Sequence, residues 1–329
     1  MKYLIIIAVT SFLEFGLNKL DNVAVCSRSF SRNDILRREL VSIYPKTKFN
    51  DTGKQLEGDQ LIDFLKGYSK AITALETINE YVLSKLPDLK VIGKYGVGLD
   101  MIDMDAMRKY GVRLGWTGGI NRRSVSELVV SFMIQLLRNL RESNQDLING
   151  LWQQQVGGLV TNRTIGIIGC GNIGKDLIKI LNQWDCKFLS HDILNFPDFY
   201  KQYKVTPADL DTLIKESDIV TLHLPLNKST KNIISREVLS KMKKNALLIN
   251  TARGGLVDED ALKEALSLKK ISGAAFDVFC EEPPRNLDLI SLPNFLSTPH
   301  IGGSSMEAIL AMGRSAITGL DHNEIPTIE

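Results

Sequence analysis

The 329-residue chain has only four cysteines, Cys26, Cys170, Cys186 and Cys280, too scattered for a disulfide framework or for paired metal ligands. That usage fits a reducing cytoplasm, and no metal is expected. An excess of charge of one sign is also lacking. Forty Lys and Arg face 38 Asp and Glu, and no basic run stands out, so nucleic acid is not an expected partner. No apolar run is long enough to cross a bilayer, so no membrane association is expected. The apolar stretch Tyr3 to Leu13, behind a single Lys2, has the look of a secretion-signal core, but Glu14 follows at once and no small-residue cleavage pattern appears. A buried strand or hydrophobic extension is the favoured reading of that segment. Internal repeats and low-complexity tracts are absent as well.

What is present is enough apolar content, 44%, to fill two cores in a chain too long for one. From Thr164 onward, short β-branched runs alternate with helical patterns: Ile165 to Gly169, Lys187 to Asp192, Asp218 to Leu224, Ala246 to Thr251, Ser272 to Asp277 and Phe295 to Thr298. Ile173 to Trp184 and Asp258 to Leu268 carry apolar residues at helical spacing and supply crossovers for a doubly wound parallel sheet. The region before it repeats this grammar more weakly: a strand at Val23 to Cys26, a helix at Ile35 to Ile43, a strand at Lys90 to Ile92 and a loop at Tyr95 to Gly98. A smaller α/β domain is expected there. A longer helix is predicted over Ser124 to Leu140, with apolar residues broad enough for burial on more than one side. Arg141 to Arg163 is polar and contains glycine, which predicts a connection anchored by Trp152.

Gly169-Cys170-Gly171-Asn172-Ile173-Gly174 is a G-x-G-x-x-G placed after a strand and before a helix. Gly169 permits the tight turn, Gly171 lets a pyrophosphate approach the backbone and Gly174 lets helix and strand pack closely. Asp192 closes the next strand, where a carboxylate accepts from the hydroxyls of an adenosine ribose. The bland alternative is a glycine-rich turn and a surface Asp. The context favours a dinucleotide, and Ile193-Leu194-Asn195 offers no cation for a 2′-phosphate, so NAD is preferred over NADP.

Hydride transfer to a 2-keto acid needs a cation for the carboxylate, a proton donor for the nascent alkoxide and a group that tunes that donor. Arg253 follows Asn250-Thr251-Ala252 at a strand end, Glu282 follows the strand ending at Asp277, and His300 follows the strand ending at Thr298. Taken singly, Arg253 reads equally as a strand cap and Glu282 as a solvated loop acid. With four histidines in the chain, His300 has few rivals as a proton donor near neutral pH. His223, in His223-Leu224-Pro225-Leu226, lines the cofactor pocket or packs in its loop.

Six stretches in order resemble the D-isomer-specific 2-hydroxyacid dehydrogenases: Gly96 to Asp100, Asn121 to Glu127, Thr164 to Gly169, Asn250 to Gly255, Asp277 to Pro283 and Thr298 to Gly303. The resemblance covers roughly nine tenths of the chain, from about Val23. It implies that Arg253 binds the substrate carboxylate and polarises the keto group, that His300 is the acid/base and that Glu282 bonds His300 and raises its pKa. It further implies that the amides of Val97 and Gly98 hold the substrate carboxylate. Around NAD it places Gly169, Gly171, Asn172, Ile173, Gly174, Asp192, His223, Pro225, Thr251, Ala252, Arg253, Asp277, His300 and Gly302, with Asp277 near the carboxamide. The implied architecture is a Rossmann-type NAD-binding domain, residues 120–303, inserted in a smaller flavodoxin-like substrate domain, residues 21–119 and 304–329, with reaction in the cleft and a homodimer formed through the NAD-binding domain. About twenty N-terminal residues have no counterpart in the family. A rival on the same fold is an NAD(H)-sensing corepressor-like binding protein, which NADH turnover discriminates.

Overall fold

The computed structural model describes residues 21–285 and 287–327; the expected N-terminal extension, residues 1–20, lies outside them. The chain divides into two compact units, one drawn from Met1–Asn121 with Met306–Glu329 and the other formed by Arg122–Ser305.

The first unit is built on a five-stranded parallel sheet of β1 (Val23–Val25), β2 (Thr47–Phe49), β3 (Lys70–Thr73), β4 (Val91–Lys94) and β5 (Arg113–Gly115), in the order β2-β1-β3-β4-β5. That is the flavodoxin-like order. Successive residues of each strand face opposite sides, so Ala24, Ala71 and Ile92 enter one core while Val23, Val25, Ile72 and Val91 enter the other. Burying a side chain such as Ile72 completely contributes about 1.5–3 kcal/mol.

The second unit carries seven parallel strands: β6 (Thr164–Ile168), β7 (Lys187–His191), β8 (Val205–Pro207), β9 (Ile219–Leu222), β10 (Leu247–Asn250), β11 (Gly273–Phe276) and β12 (Phe295–Ser297), ordered β12-β11-β10-β9-β6-β7-β8. β9, β10 and β11 are buried at every position because helices cover both faces. The strand order reverses between β6 and β9, and it is outside the carboxyl ends of such a switch point that ligands bind in open α/β sheets.

Two sequence expectations need correction. The helix expected over Ser124 to Leu140 runs instead as Arg122–Leu137, and a second helix, Leu140–Ile148, occupies polar sequence expected to be a connection. Trp152 is 84% exposed and anchors nothing among the described residues. β8 escaped notice because an edge strand of three residues ending in Pro207 has almost no periodic signal. Among the described residues no helix is long and apolar enough to cross a membrane.

Candidate active site

At the switch point, β6 runs into Gly169, whose φ of +95° is left-handed and whose added Cβ would lie 2.5 Å from the carbonyl oxygen of His223. Only glycine fits there. Gly174 sits in the first turn of the helix Asn172–Leu181, 2.4 Å from the Gly169 carbonyl measured from an ideal Cβ, so helix and strand close on each other. A Cβ on Gly171 would meet nothing within 4 Å. The loop is therefore closed on its protein sides and open where a pyrophosphate would approach the helix N-terminus. Asn172 is exposed and Ile173 partly buried at that same end.

Asp192, just past β7, accepts from the amide of Cys170 at 2.6 Å and from the amide of Leu194 at 2.8 Å. These bonds fix the carboxylate beside the glycine loop. Across the switch point, His223 follows β9; its Nε2 lies 3.0 Å from the Thr221 hydroxyl, while its Nδ1 is buried without a partner among the described residues. Burial holds this imidazole neutral, with a pKa lowered to about 3. Pro225 is exposed in the same loop, Thr251 and Ala252 are buried after β10, and the Thr251 hydroxyl is a second buried polar group without a partner among the described residues. The open cradle at Gly171, a fixed carboxylate and two orphaned polar atoms after neighbouring strands fit a dinucleotide.

The three residues expected to carry the chemistry follow the next three strands. Arg253 sits in a turn that Asn250 builds, its side-chain amide donating to the Arg253 carbonyl and its oxygen accepting from the Ala252 amide. The Arg253 guanidinium donates to the Ala252 carbonyl at 2.7 Å. Glu282, beyond β11, accepts from the Phe279 amide through Oε1 and meets Nδ1 of His300 through Oε2 at 2.7 Å. With Nδ1 turned to a carboxylate, the proton available for exchange is at Nε2. A cavity of about 330 Å³ opens beside the pair, between Phe279, Pro284, Ile290 and Pro299.

His300 itself has a φ of +54°, unusual for a residue with a side chain. Asp277, 1% exposed, explains how the loop is held: its carboxylate accepts from the Thr298 hydroxyl at 2.5 Å and from the amides of Ile301 and Gly302 at 2.7 Å each. Gly302 is buried, and its carbonyl accepts from the Ser124 hydroxyl at 2.6 Å. Sequence reasoning singled out neither Asn250 nor Ser124. Both lie inside quoted motifs, but their partners depend on the fold.

In the other unit, Gly96 has a φ of +111°, and the amides of Val97 and Gly98 reach no acceptor among the described residues. The Val97 carbonyl accepts from the Trp116 indole at 3.0 Å.

Residues 130–302 match the family model of the D-isomer specific 2-hydroxyacid dehydrogenase NAD binding domain. The chain is 35% identical over 288 residues to a hydroxypyruvate reductase of Thermotoga maritima, covering 85% of this chain and 93% of that one. It is 34% identical over 284 residues to a D-3-phosphoglycerate dehydrogenase of Methanocaldococcus jannaschii, covering 85% of this chain and 54% of that one. Among solved structures, the D-lactate dehydrogenase of Aquifex aeolicus complexed with NAD and lactic acid superposes with a TM-score of 0.80 at 26% identity, over 91% of this chain and 93% of that one. The chain belongs to the D-isomer specific 2-hydroxyacid dehydrogenase family and is an NAD-dependent dehydrogenase.

Proposed function

We propose that the protein interconverts a small, unphosphorylated 2-keto acid and its D-2-hydroxy acid, with Arg253, Glu282 and His300 as the catalytic set. The observation that carries this reading is the His300–Glu282 pair at 2.7 Å, which leaves Nε2 as the proton-exchanging atom; Arg253, Glu282 and His300 follow β10, β11 and β12, three strands in a row along the sheet. NAD, when bound, supplies or accepts the hydride. Gly169, Gly171 and Gly174 would cradle its pyrophosphate with Asn172 and Ile173 at the helix end. Asp192 would take the adenosine ribose. His223, Pro225, Thr251 and Ala252 would line the remainder, with Asp277 and Gly302 behind the nicotinamide.

In the reductive direction Arg253 binds the substrate carboxylate and draws charge toward the keto oxygen, while the amides of Val97 and Gly98 offer further donors for the carboxylate. His300 Nε2 delivers a proton to that oxygen, and Glu282 steadies the imidazolium before transfer. In the oxidative direction the same nitrogen removes the hydroxyl proton.

The preference against a phosphate rests on Glu76 and Lys94. Glu76 is 2% exposed and accepts from the Ala74 amide at 2.6 Å, while the buried ammonium of Lys94 donates to the carbonyls of Ala74 and Tyr95. An acid and an internally engaged cation make a poor clamp for a phosphoryl group. Steady-state assays with NADH should show hydroxypyruvate, glyoxylate or pyruvate preferred over 3-phosphohydroxypyruvate; a preference for the phosphorylated compound rejects this specificity.

The protein is also proposed to self-associate through the NAD-binding unit. Leu147, Ile148, Trp152, Val156 and Leu159 are each more than half exposed within a short stretch of it. Light scattering that returns a monomer's mass rejects this.

A further inference from the structure

We infer that Ser124 is a positioning residue for His300, acting through the carbonyl of Gly302; this rests on the proposed reaction. Ser124 lies in the first turn of the helix Arg122–Leu137, next to where the chain passes from one unit to the other. A serine there commonly caps its own helix. This one instead donates to the Gly302 carbonyl at 2.6 Å, and its oxygen lies 3.4 Å from the Ser305 amide. A single side chain thus ties the outgoing crossing of the chain to the return crossing.

The neighbours of Ser124 fix where that tie begins. Arg123 makes two hydrogen bonds to Asp176, Nε to Oδ2 at 2.9 Å and Nη2 to Oδ1 at 3.0 Å, and the Asp176 side chain is only 7% exposed. Ser126 donates to the Ile173 carbonyl at 3.4 Å. Asp176 and Ile173 belong to the helix behind the glycine loop. The first turn bearing Ser124 is therefore referenced to the helix that receives the cofactor.

The far end of the tie is the loop of the proton donor. His300 is left-handed at φ +54°, a conformation that costs an L-residue about 1–2 kcal/mol and persists only if its surroundings enforce it. Gly302, two residues on, has its amide on the Asp277 carboxylate and its carbonyl on Ser124. An ideal Cβ at Gly302 would lie 3.0 Å from Asp277 Oδ2, so the clamp leaves little room there for a side chain. With the Ser124 hydroxyl removed, the buried carbonyl loses a partner, and the loop keeps its Asp277 bonds and the Glu282–His300 pair but loses its tie to the helix Arg122–Leu137. The residue so released is the one whose Nε2 must meet the substrate oxygen.

The test compares Ser124→Ala and Ser124→Thr with the parent in NADH-dependent reduction of a 2-keto acid the parent accepts, together with NADH affinity by fluorescence and Tm. Ser124→Ala should lower kcat about 3- to 10-fold with NADH affinity unchanged, and Ser124→Thr, which keeps the hydroxyl, should recover most of the loss. Three results overturn the role of Ser124: a parental kcat in Ser124→Ala, a loss that tracks NADH affinity, or a loss that Ser124→Thr shares in full. If kcat follows Tm across both variants, the effect is one of stability and the inference also falls. A parent that turns over no 2-keto acid overturns the proposed reaction and this inference with it, which separates the two failures.

Discussion

Two loops of the NAD-binding unit meet the same conformational demand by different means. After β6 the chain turns through a left-handed residue, and that residue is glycine; after β12 it turns through another, and that residue is His300. Gly169 adopts its φ at little cost, so the cofactor loop needs no special support and its chemistry resides in backbone amides. His300 pays for a side chain in an unfavourable region, and the loop is held by a buried carboxylate with three donors and by a serine from a distant helix. The difference matches what each loop is proposed to do. An anion can be gripped by the backbone alone, whereas proton transfer requires an imidazole held in one place.

The largest effect should come from removing that imidazole. His300→Ala should lower kcat by roughly two to four orders of magnitude with NADH binding retained, as expected for loss of general acid/base catalysis. Near-parental turnover would remove His300 from the chemistry. The contrast between the loops is sharpened by stability: His300→Gly should be about 1 kcal/mol more stable than His300→Ala, because glycine alone relieves the left-handed backbone. Equal denaturation midpoints would mean that His300 is not strained and that the two loops do not differ in kind.

A pH-dependent effect concerns His223, whose carbonyl abuts Gly169 and whose imidazole is held neutral with a pKa lowered to about 3 from an ordinary value of 6.5. The unfolded chain takes up a proton below about pH 6.5 that the folded protein refuses until far lower pH. The stability contributed by the neutral imidazole is therefore complete above the ordinary value and is lost as pH falls toward about 3. His223→Gln should flatten the decline of Tm between about pH 7 and about pH 4. Parallel curves for parent and variant would contradict the burial of that imidazole.

How much of this was legible in the sequence differs between the same two loops. The glycine loop was readable because each glycine answers a local requirement: turn, open approach and close packing within six residues. The proposed catalytic residues were readable as strand-end residues within ordered motifs. Their support was not, since Asp277 reaches donors more than twenty residues later and Ser124 reaches an acceptor 178 residues away. Periodicity reports the face of an element and carries no information about such partners. The same limit explains the helix Leu140–Ile148, which has no buried residue to mark it within this chain. Asp277 was expected beside the nicotinamide; what its geometry adds is that both carboxylate oxygens are already engaged by the loop of His300.

The account stands most directly on the coupling of NADH oxidation to formation of a D-2-hydroxy acid through His300. The measurement is to incubate parent and His300→Ala with NADH and glyoxylate, hydroxypyruvate or pyruvate, following NADH loss and, for the chiral lactate or glycerate products, the configuration at C2. The account predicts stoichiometric NADH consumption by the parent with at least one of these acids, D-configured product wherever C2 is chiral, and almost none of this activity in the variant. NADH binding without turnover by the parent, or an L-configured product, would contradict it.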